Sequence, residues 1–150
     1  MVSRAFSRRR PERERKHAGK VSSTTRRILI VEDHPSTQAV MTRLVKAQGF
    51  AVTTASTLAE ARQHAEAGDI GFLIADLGLA DGSGWQLMAE LNTRWGIKGA
   101  AISGFGMDED LERSRLAGFL LHLIKPIDHA GLHLILDLAR QEIGEPPKPV

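Results

Sequence analysis

From Arg27 onward the apolar positions fall in short blocks with two different periods. Ile28-Leu29-Ile30-Val31 is a continuous β-branched run ending at Glu32-Asp33, which reads as a strand buried on both faces. His34-Pro35-Ser36 turns the chain, and Pro35 suits the first position of a helix. Val40, Leu44 and Ala47 then recur on one helical face up to a stop at Gly49, predicting that face inward. Phe50 to Thr53 forms a second short strand, followed by a helix from about Thr57 to Ala67 with Leu58 and Ala61 inward. Ile70 to Ala75 is the third strand and delivers Asp76 at its end. After a loop with glycines at 78, 82 and 84, Leu87, Met88, Leu91 and Trp95 form one helical stripe. Ala100 to Ile102 is the fourth strand, broken by Ser103-Gly104. Met107 to Ala117 reads as a charged helix with Leu111 as its anchor. Phe119 to Ile124 is the fifth strand, closed by Lys125-Pro126, and a last helix from about Asp128 to Gln141 buries Leu132, Ile135, Leu136 and Ala139.

Strand and helix thus alternate through the whole segment 27–141. That pattern predicts an α/β domain: a doubly wound, five-stranded parallel sheet with five helices on its two faces, joined by right-handed crossovers. In the flavodoxin-like order 2-1-3-4-5 the first and third strands lie side by side at the switch point, where ligands bind.

Composition divides the chain more sharply than its pattern does. Of 150 residues, 42% are hydrophobic and none is cysteine, so disulfides and thiolate metal sites are excluded and a reducing compartment is permitted. No run is long enough to cross a membrane, and a cytoplasmic location is expected. Residues 1–27 carry ten Arg/Lys against two Glu, and residues 28–150 carry ten against sixteen Asp/Glu. A basic tail therefore precedes a mildly acidic domain. The tail, residues 1–26, has Val2, Phe6 and Val21 as its sizeable apolar residues, too few to offset the ordering entropy, so disorder is expected. Charge alone would let such an arm hold nucleic acid, but a solvated linker is the plainer reading, and nucleic acid is not expected as a partner. Residues 142–150, rich in proline, are expected to form a C-terminal tail.

Polar residues gather at the predicted strand ends. Glu32 and Asp33 follow the first strand, Asp76 the third, Ser103 the fourth and Lys125 the fifth. Three carboxylates converging in one cleft at ~4 Å repel by about 4 kcal/mol per pair at an effective dielectric near 20. Such a cluster calls for a cation, and its hard oxygen ligands suit Mg²⁺ or Mn²⁺. A carboxylate beside a metal can attack phosphorus and form an aspartyl phosphate. Lys125 then suits charge neutralisation, and Ser103 can donate a hydroxyl to a phosphoryl oxygen.

Ile-Leu-Ile-Val-Glu-Asp-His-Pro, the Asp76 strand with its Asp-Gly-Ser-Gly loop, Ile-Ser-Gly and Ile-Lys-Pro-Ile, in that order, resemble the receiver domain of two-component response regulators. The wording from Ser103 to Lys125 is most similar to receivers attached to hybrid sensor histidine kinases. The resemblance implies Asp76 as phosphoacceptor, Asp33 as a direct metal ligand, Glu32 acting nearby and the carbonyl of Gly78 as a further ligand. It implies Ser103 as the switch hydroxyl, Lys125 as the phosphate-binding lysine and a cis peptide before Pro126. Two positions depart from the family: Ala80 replaces a usual proline, which should loosen the loop after Asp76. His122 replaces the usual aromatic switch, and is expected either to swing as that aromatic does or to rest as a half-exposed strand residue.

The implied function is a phosphoacceptor module of a phosphorelay, served by a sensor histidine kinase or a histidine phosphotransfer protein. It is not expected to be an enzyme beyond gaining and losing its own phosphoryl group. No output domain is expected after residue 141, so output would pass through a partner whose identity is open, or through a homodimer. The alternative is a docking module of receiver fold that works without phosphorylation. A phosphohydrolase of the aspartate-nucleophile type wants a second Asp two residues on, where Gly78 stands. Flavin binding on the same fold is opposed by Glu32-Asp33, which would repel its phosphate.

Overall fold

Continuous apolar runs flanked by amphipathic stretches settle into a sheet sandwiched between two helical layers. The structure is a computed structural model and describes residues 3–5, 26–104, 106 and 108–146. In chain order the elements are β1 (Ser3–Ala5), β2 (Arg27–Val31), α1 (Pro35–Ala47), β3 (Val52–Ala55), α2 (Leu58–Glu66), β4 (Ile70–Asp76), β5 (Gly78–Leu79), β6 (Gly82–Ser83), α3 (Gly84–Trp95), β7 (Lys98–Ser103), α4 (Asp108–Ala117), β8 (Phe119–Ile124) and α5 (His129–Ile143). The large sheet runs β1-β8-β7-β4-β2-β3. Its five parallel strands stand in the expected order, with second and first before third, fourth and fifth.

The sheet has one strand that the pattern of residues does not announce. Ser3–Ala5 pairs antiparallel with β8, Ser3 opposite Leu123 and Ala5 opposite Leu121. The expectation of disorder across residues 1–26 therefore does not hold for these three. Residues 1–2, 6–25 and 147–150, and with them most of the expected N-terminal tail and the end of the expected C-terminal one, lie outside the described residues. Among the described residues no helix is long and apolar enough to cross a membrane.

Alternation along the strands divides the core. Leu29, Val31, Leu73 and Ala75 face α2 and α3 with Leu58, Leu87, Met88 and Leu91. Ile28, Ile30, Phe72 and Ile74 face α1 and α5 with Val45, Leu132, Ile135 and Leu136. Every residue of β4 is buried, which explains why the strand that carries Asp76 has no polar residue before it.

Helix α1 packs through a different stripe from the expected one. Met41 and Val45 are its buried residues, while Val40 is 52% exposed and Ala47 is exposed. One residue of rotation, about 100°, turns Val40 outward and leaves Leu44 half-buried at the edge of the core, and both line a pocket that opens beside Asp76. The last helix also runs past the expected boundary at 141 as far as Ile143. Ile143 packs against the core, which accounts for the extra turn.

Local signals start and stop the helices around the site. Ser83 caps α3 by accepting from the Gln86 amide at 3.2 Å, and Gly96 ends it in the left-handed conformation at φ 69°. Gly84 brings α3 against the end of β4: a Cβ there would lie 2.6 Å from the Asp76 carbonyl. Asp81 pins the intervening loop, accepting from the Leu58 amide at 3.0 and 3.1 Å. Those bonds at the start of α2 hold the Asp81 carboxyl below its usual range and anchor the loop without any part played by Ala80.

Candidate functional site

Parallel registers bring the polar strand ends together. Val31 stands opposite Ala75, Asp76 opposite Ile102 and Ser103 opposite Ile124. The next residues, Glu32, Asp33 and Lys125, therefore project from one edge of the sheet beside Asp76. The Lys125 amide bonds the Ser103 carbonyl at 2.8 Å and keeps the last two ends level. The Lys125–Pro126 peptide is cis, as the family resemblance implies.

Asp76 is 9% exposed and has both carboxylate oxygens engaged. Its Oδ1 accepts from the Gly78 amide at 3.0 Å, and its Oδ2 accepts from Lys125 Nζ at 2.8 Å. Lys125 also donates to Glu32 Oε1 at 3.1 Å, so one ammonium bridges two strand-end carboxylates. Burial pushes the Lys125 ammonium toward its neutral form, but hydrogen bonds and charge from Asp76 and Glu32 outweigh it and raise its pKa overall.

Asp33 differs from its neighbours in being unsatisfied. Its Oδ1 is buried and accepts no hydrogen bond among the described residues. His34 Nδ1 stands 3.2 Å away, within ion-pair reach but outside hydrogen-bond geometry. Glu32, by contrast, uses Oε1 on Lys125 and Oε2 on the His34 amide at 3.3 Å. A buried carboxylate oxygen without a donor is costly, and a divalent cation would satisfy it. Glu32, Asp33, His34 and Asp76 can each turn one ligand atom within 4.8 Å of the others. The carboxylates are hard donors of the kind Mg²⁺ takes, so the residues present fit such an ion.

His34 belongs to this cluster although its side chain is 72% exposed, whereas the residue pattern gave it only a part in the turn before α1. Its position directly after Glu32-Asp33 was the available signal. Gly78 enters through its amide to Asp76, and it opens the short antiparallel pair of β5 with β6.

Ser103 and His122 are buried completely. Ser103 Oγ lies 2.9 Å from His122 Nε2, and His122 Nδ1 lies 2.7 Å from Ser114 Oγ. His122 is therefore not the half-exposed strand residue that was one expectation for it. Both ring nitrogens are held, which also fixes the ring against swinging in this arrangement. Sequence reasoning missed Ser114, a lone serine inside a charged helix, and its partner Trp85, whose Nε1 donates to Ser114 Oγ at 2.8 Å.

A pocket of about 670 Å³ adjoins the cluster between α1 and α5, with Val40, Met41 and Leu44 on one side and Ile127 and Leu132 on the other.

Comparison with known proteins agrees with this geometry. Residues 28–137 match the family model described as the response regulator receiver domain. The acid tolerance regulatory protein ActR of Rhizobium meliloti is 29% identical over 122 residues, 81% of this chain and 63% of that protein. A 14.6 kDa protein encoded in the sodA1 3' region of Leptolyngbya boryana is 27% identical over 123 residues, 80% of this chain and 92% of its own length. A CheY-like response regulator receiver domain protein from Methanospirillum hungatei has the same fold, with a TM-score of 0.72 at 24% identity, covering 79% of this chain and 96% of that one.

Proposed function

The chain belongs to the response regulator receiver family, and from that premise we propose that Asp76 is a phosphoacceptor that switches the domain between two states. The observation that carries the proposal is the asymmetric satisfaction of the acidic cluster. Lys125 bridges Asp76 and Glu32, while Asp33 Oδ1 is left without a donor among the described residues. A structural ion-pair cluster has no reason to leave one buried oxygen open. A site that takes up a cation has that reason.

Asp33 and Asp76 are the residues that would hold Mg²⁺ directly, with Glu32 behind them and the Gly78 carbonyl as a further ligand. When bound, the ion supplies positive charge against the oxygens of a transferring phosphoryl group. The chain's own residues do the rest. An oxygen of Asp76 forms the new O–P bond as the N–P bond to a phosphohistidine breaks, and the electron pair stays on the departing imidazole nitrogen. Lys125, already on Asp76, neutralises charge on the incoming phosphoryl group, and the Gly78 amide holds the carboxylate in place.

The donor is a sensor histidine kinase or a histidine phosphotransfer protein. The chemistry is confined to gain and loss of the domain's own phosphoryl group. The modification adds roughly −1.5 to −2 charge at the sheet edge, and output passes to a partner that reads the altered surface. Incubation with Mg²⁺ and acetyl phosphate, followed by intact-mass measurement or phosphate-affinity electrophoresis, tests this. Wild type should gain one phosphoryl group and Asp76→Ala none. Equal labelling of the two, or no labelling of either, would sink the assignment in favour of a docking module.

A further inference from the structure

Ser103, His122, Ser114 and Trp85 come from β7, β8, α4 and α3, and their polar atoms form one continuous thread. The steps are 2.9 Å from Ser103 Oγ to His122 Nε2, 2.7 Å from His122 Nδ1 to Ser114 Oγ, and 2.8 Å from Ser114 Oγ to Trp85 Nε1. The three inner residues are 0% exposed. Trp85 reaches the surface, where the Arg113 guanidinium lies 3.9 Å over its ring.

Hydrogen-bond accounting gives the thread a direction. Indole Nε1 is a donor only, so Ser114 Oγ accepts from Trp85. The Ser114 hydroxyl has one proton to place, and among the described residues its other contact is His122 Nδ1. Placing it there makes Nδ1 the acceptor and leaves the proton of a neutral imidazole on Nε2. That Nε2–H donates to Ser103 Oγ. Every step then points the same way, from the surface indole toward the end of β7, and Ser103 stands one residue past Ile102, the register partner of Asp76.

Such a thread is poorly explained by packing. Polar groups buried in an apolar layer contribute little to stability even when satisfied, and an apolar side chain at 122 would fill the space at no polar cost. Aligned donors do have one property that apolar packing lacks: each bond polarises the next, so a change at one end is felt at the other.

We propose that Ser103, His122, Ser114 and Trp85 form a one-way hydrogen-bond relay that reports the charge at Asp76 to the surface between α3 and α4. His122 and Ser114 are positioning residues in it, and Trp85 is its outer terminus. The inference rests on the phosphoacceptor reading of Asp76. A phosphoryl oxygen there accepts a hydrogen bond from the Ser103 hydroxyl, and Ser103 becomes a stronger acceptor for His122 Nε2–H. The bonds from Ser114 and Trp85 tighten in turn. His122 acts without leaving its buried position, unlike a side chain that swings outward. The signal arrives at the Trp85–Arg113 stack, a half-buried aromatic under an exposed cation that a partner can read.

The chain has two tryptophans, which supplies an internal control. Trp95 lies under Arg94 at 4.3 Å and is not part of the thread. Indole N–H resonances of the ¹⁵N-labelled full chain are recorded before and after Mg²⁺ and acetyl phosphate, with labelling followed separately by mass. The expected result is a downfield shift of the Trp85 N–H, no shift of Trp95, and loss of the Trp85 shift in Ser114→Ala while Asp76 is still labelled. A labelled wild type whose Trp85 resonance stays put overturns the relay, as does an undiminished shift in Ser114→Ala. A wild type that takes no label overturns the phosphoacceptor reading and the relay with it, so the two failures are distinguishable. The wild-type spectrum decides the matter even where the variant folds poorly.

Discussion

Two polar assemblies meet at the C-terminal edge of the sheet, and they are built on opposite rules. The acidic cluster of Glu32, Asp33 and Asp76 is charged, bridged by a partly exposed lysine, and incomplete, with Asp33 Oδ1 unsatisfied among the described residues. The thread from Ser103 to Trp85 is uncharged in the tautomer assigned to it, its inner members buried, and its three steps within hydrogen-bond range. An incomplete charged site is poised to take something up. A closed neutral one transmits without taking part. The comparison implies that the cluster should respond to ions, pH and phosphoryl donors, whereas the thread should respond to deletion of a single atom.

The largest effect should come from breaking the thread at its centre. His122→Ala removes a fully buried ring and with it the hydrogen bonds that join the ring to Ser103 and Ser114, so a loss of about 2–4 kcal/mol is expected in urea unfolding. The same truncation at exposed His133 should stay within about 0.5 kcal/mol. Similar losses at the two positions would mean that water repairs the thread and that its closure is not tight.

The cluster is broken most selectively at Asp33. If its open oxygen is a ligand, Asp33→Ala should weaken Mn²⁺ binding at least about tenfold, roughly 1.4 kcal/mol, as read by titration calorimetry. Stability without metal should hold or rise, because an unsatisfied buried oxygen has gone. Glu32→Gln should weaken Mn²⁺ less, since both Glu32 oxygens already have donors. Equal losses at the two positions would remove the distinction between a direct ligand and its support.

Most of the acidic cluster was legible in the residues because buried parallel strands leave little choice about where charge can stand. Glu32 and Asp76 each follow an uninterrupted apolar run, Lys125 follows one broken by His122 alone, and the registers then fix their neighbours. The thread was illegible for the converse reason. His122 sits within an apolar strand and Ser114 within a charged helix, so each looks incidental until the packing of α4 on β8 brings them together. The stripe of α1 was misplaced because Val40 and Met41 are both apolar and the phase of a helix cannot be read from two adjacent candidates. The pairing of Ser3–Ala5 with β8 rests on backbone bonds, which leave no mark in side-chain pattern.

Lysine 125 ties the cluster to pH. Its pKa is raised in the folded state, so its contribution is fully present below the ordinary lysine value of 10.5 and is lost as pH rises through the higher folded value. With the side chain 33% exposed, screening reduces the expected contribution to about 1 kcal/mol. Lys125→Met should therefore flatten the fall in stability expected for wild type as pH rises above the ordinary lysine value of 10.5. It should also make Mg²⁺ more stabilising, since the ion then replaces the missing ammonium. An unchanged alkaline limb in the variant would show that Lys125 is held by geometry rather than by charge.

The smallest effect lies away from both assemblies and calibrates them. Arg62 on α2 forks onto Glu90 on α3, with Nε to Oε2 at 2.7 Å and Nη2 to Oε1 at 2.9 Å. The hydrogen bond from Arg62 holds the Glu90 carboxyl below its usual range, against a burial contribution of opposite sign. The contribution is thus present above the unfolded carboxylate pKa and is lost as pH falls through the depressed folded value. Because the two side chains are 35% and 34% exposed, about 0.5 kcal/mol is expected despite the bidentate geometry. Glu90→Gln should cost that much at pH 7 and almost nothing at about 1 M salt, where the screening length falls to about 3 Å. The buried thread should be insensitive to the same salt, since its bonds join neutral groups out of reach of counterions. If salt weakens Ser114→Ala and Glu90→Gln differences alike, the thread carries charge, and the neutral Nε2–H assignment for His122 is the step that gives way.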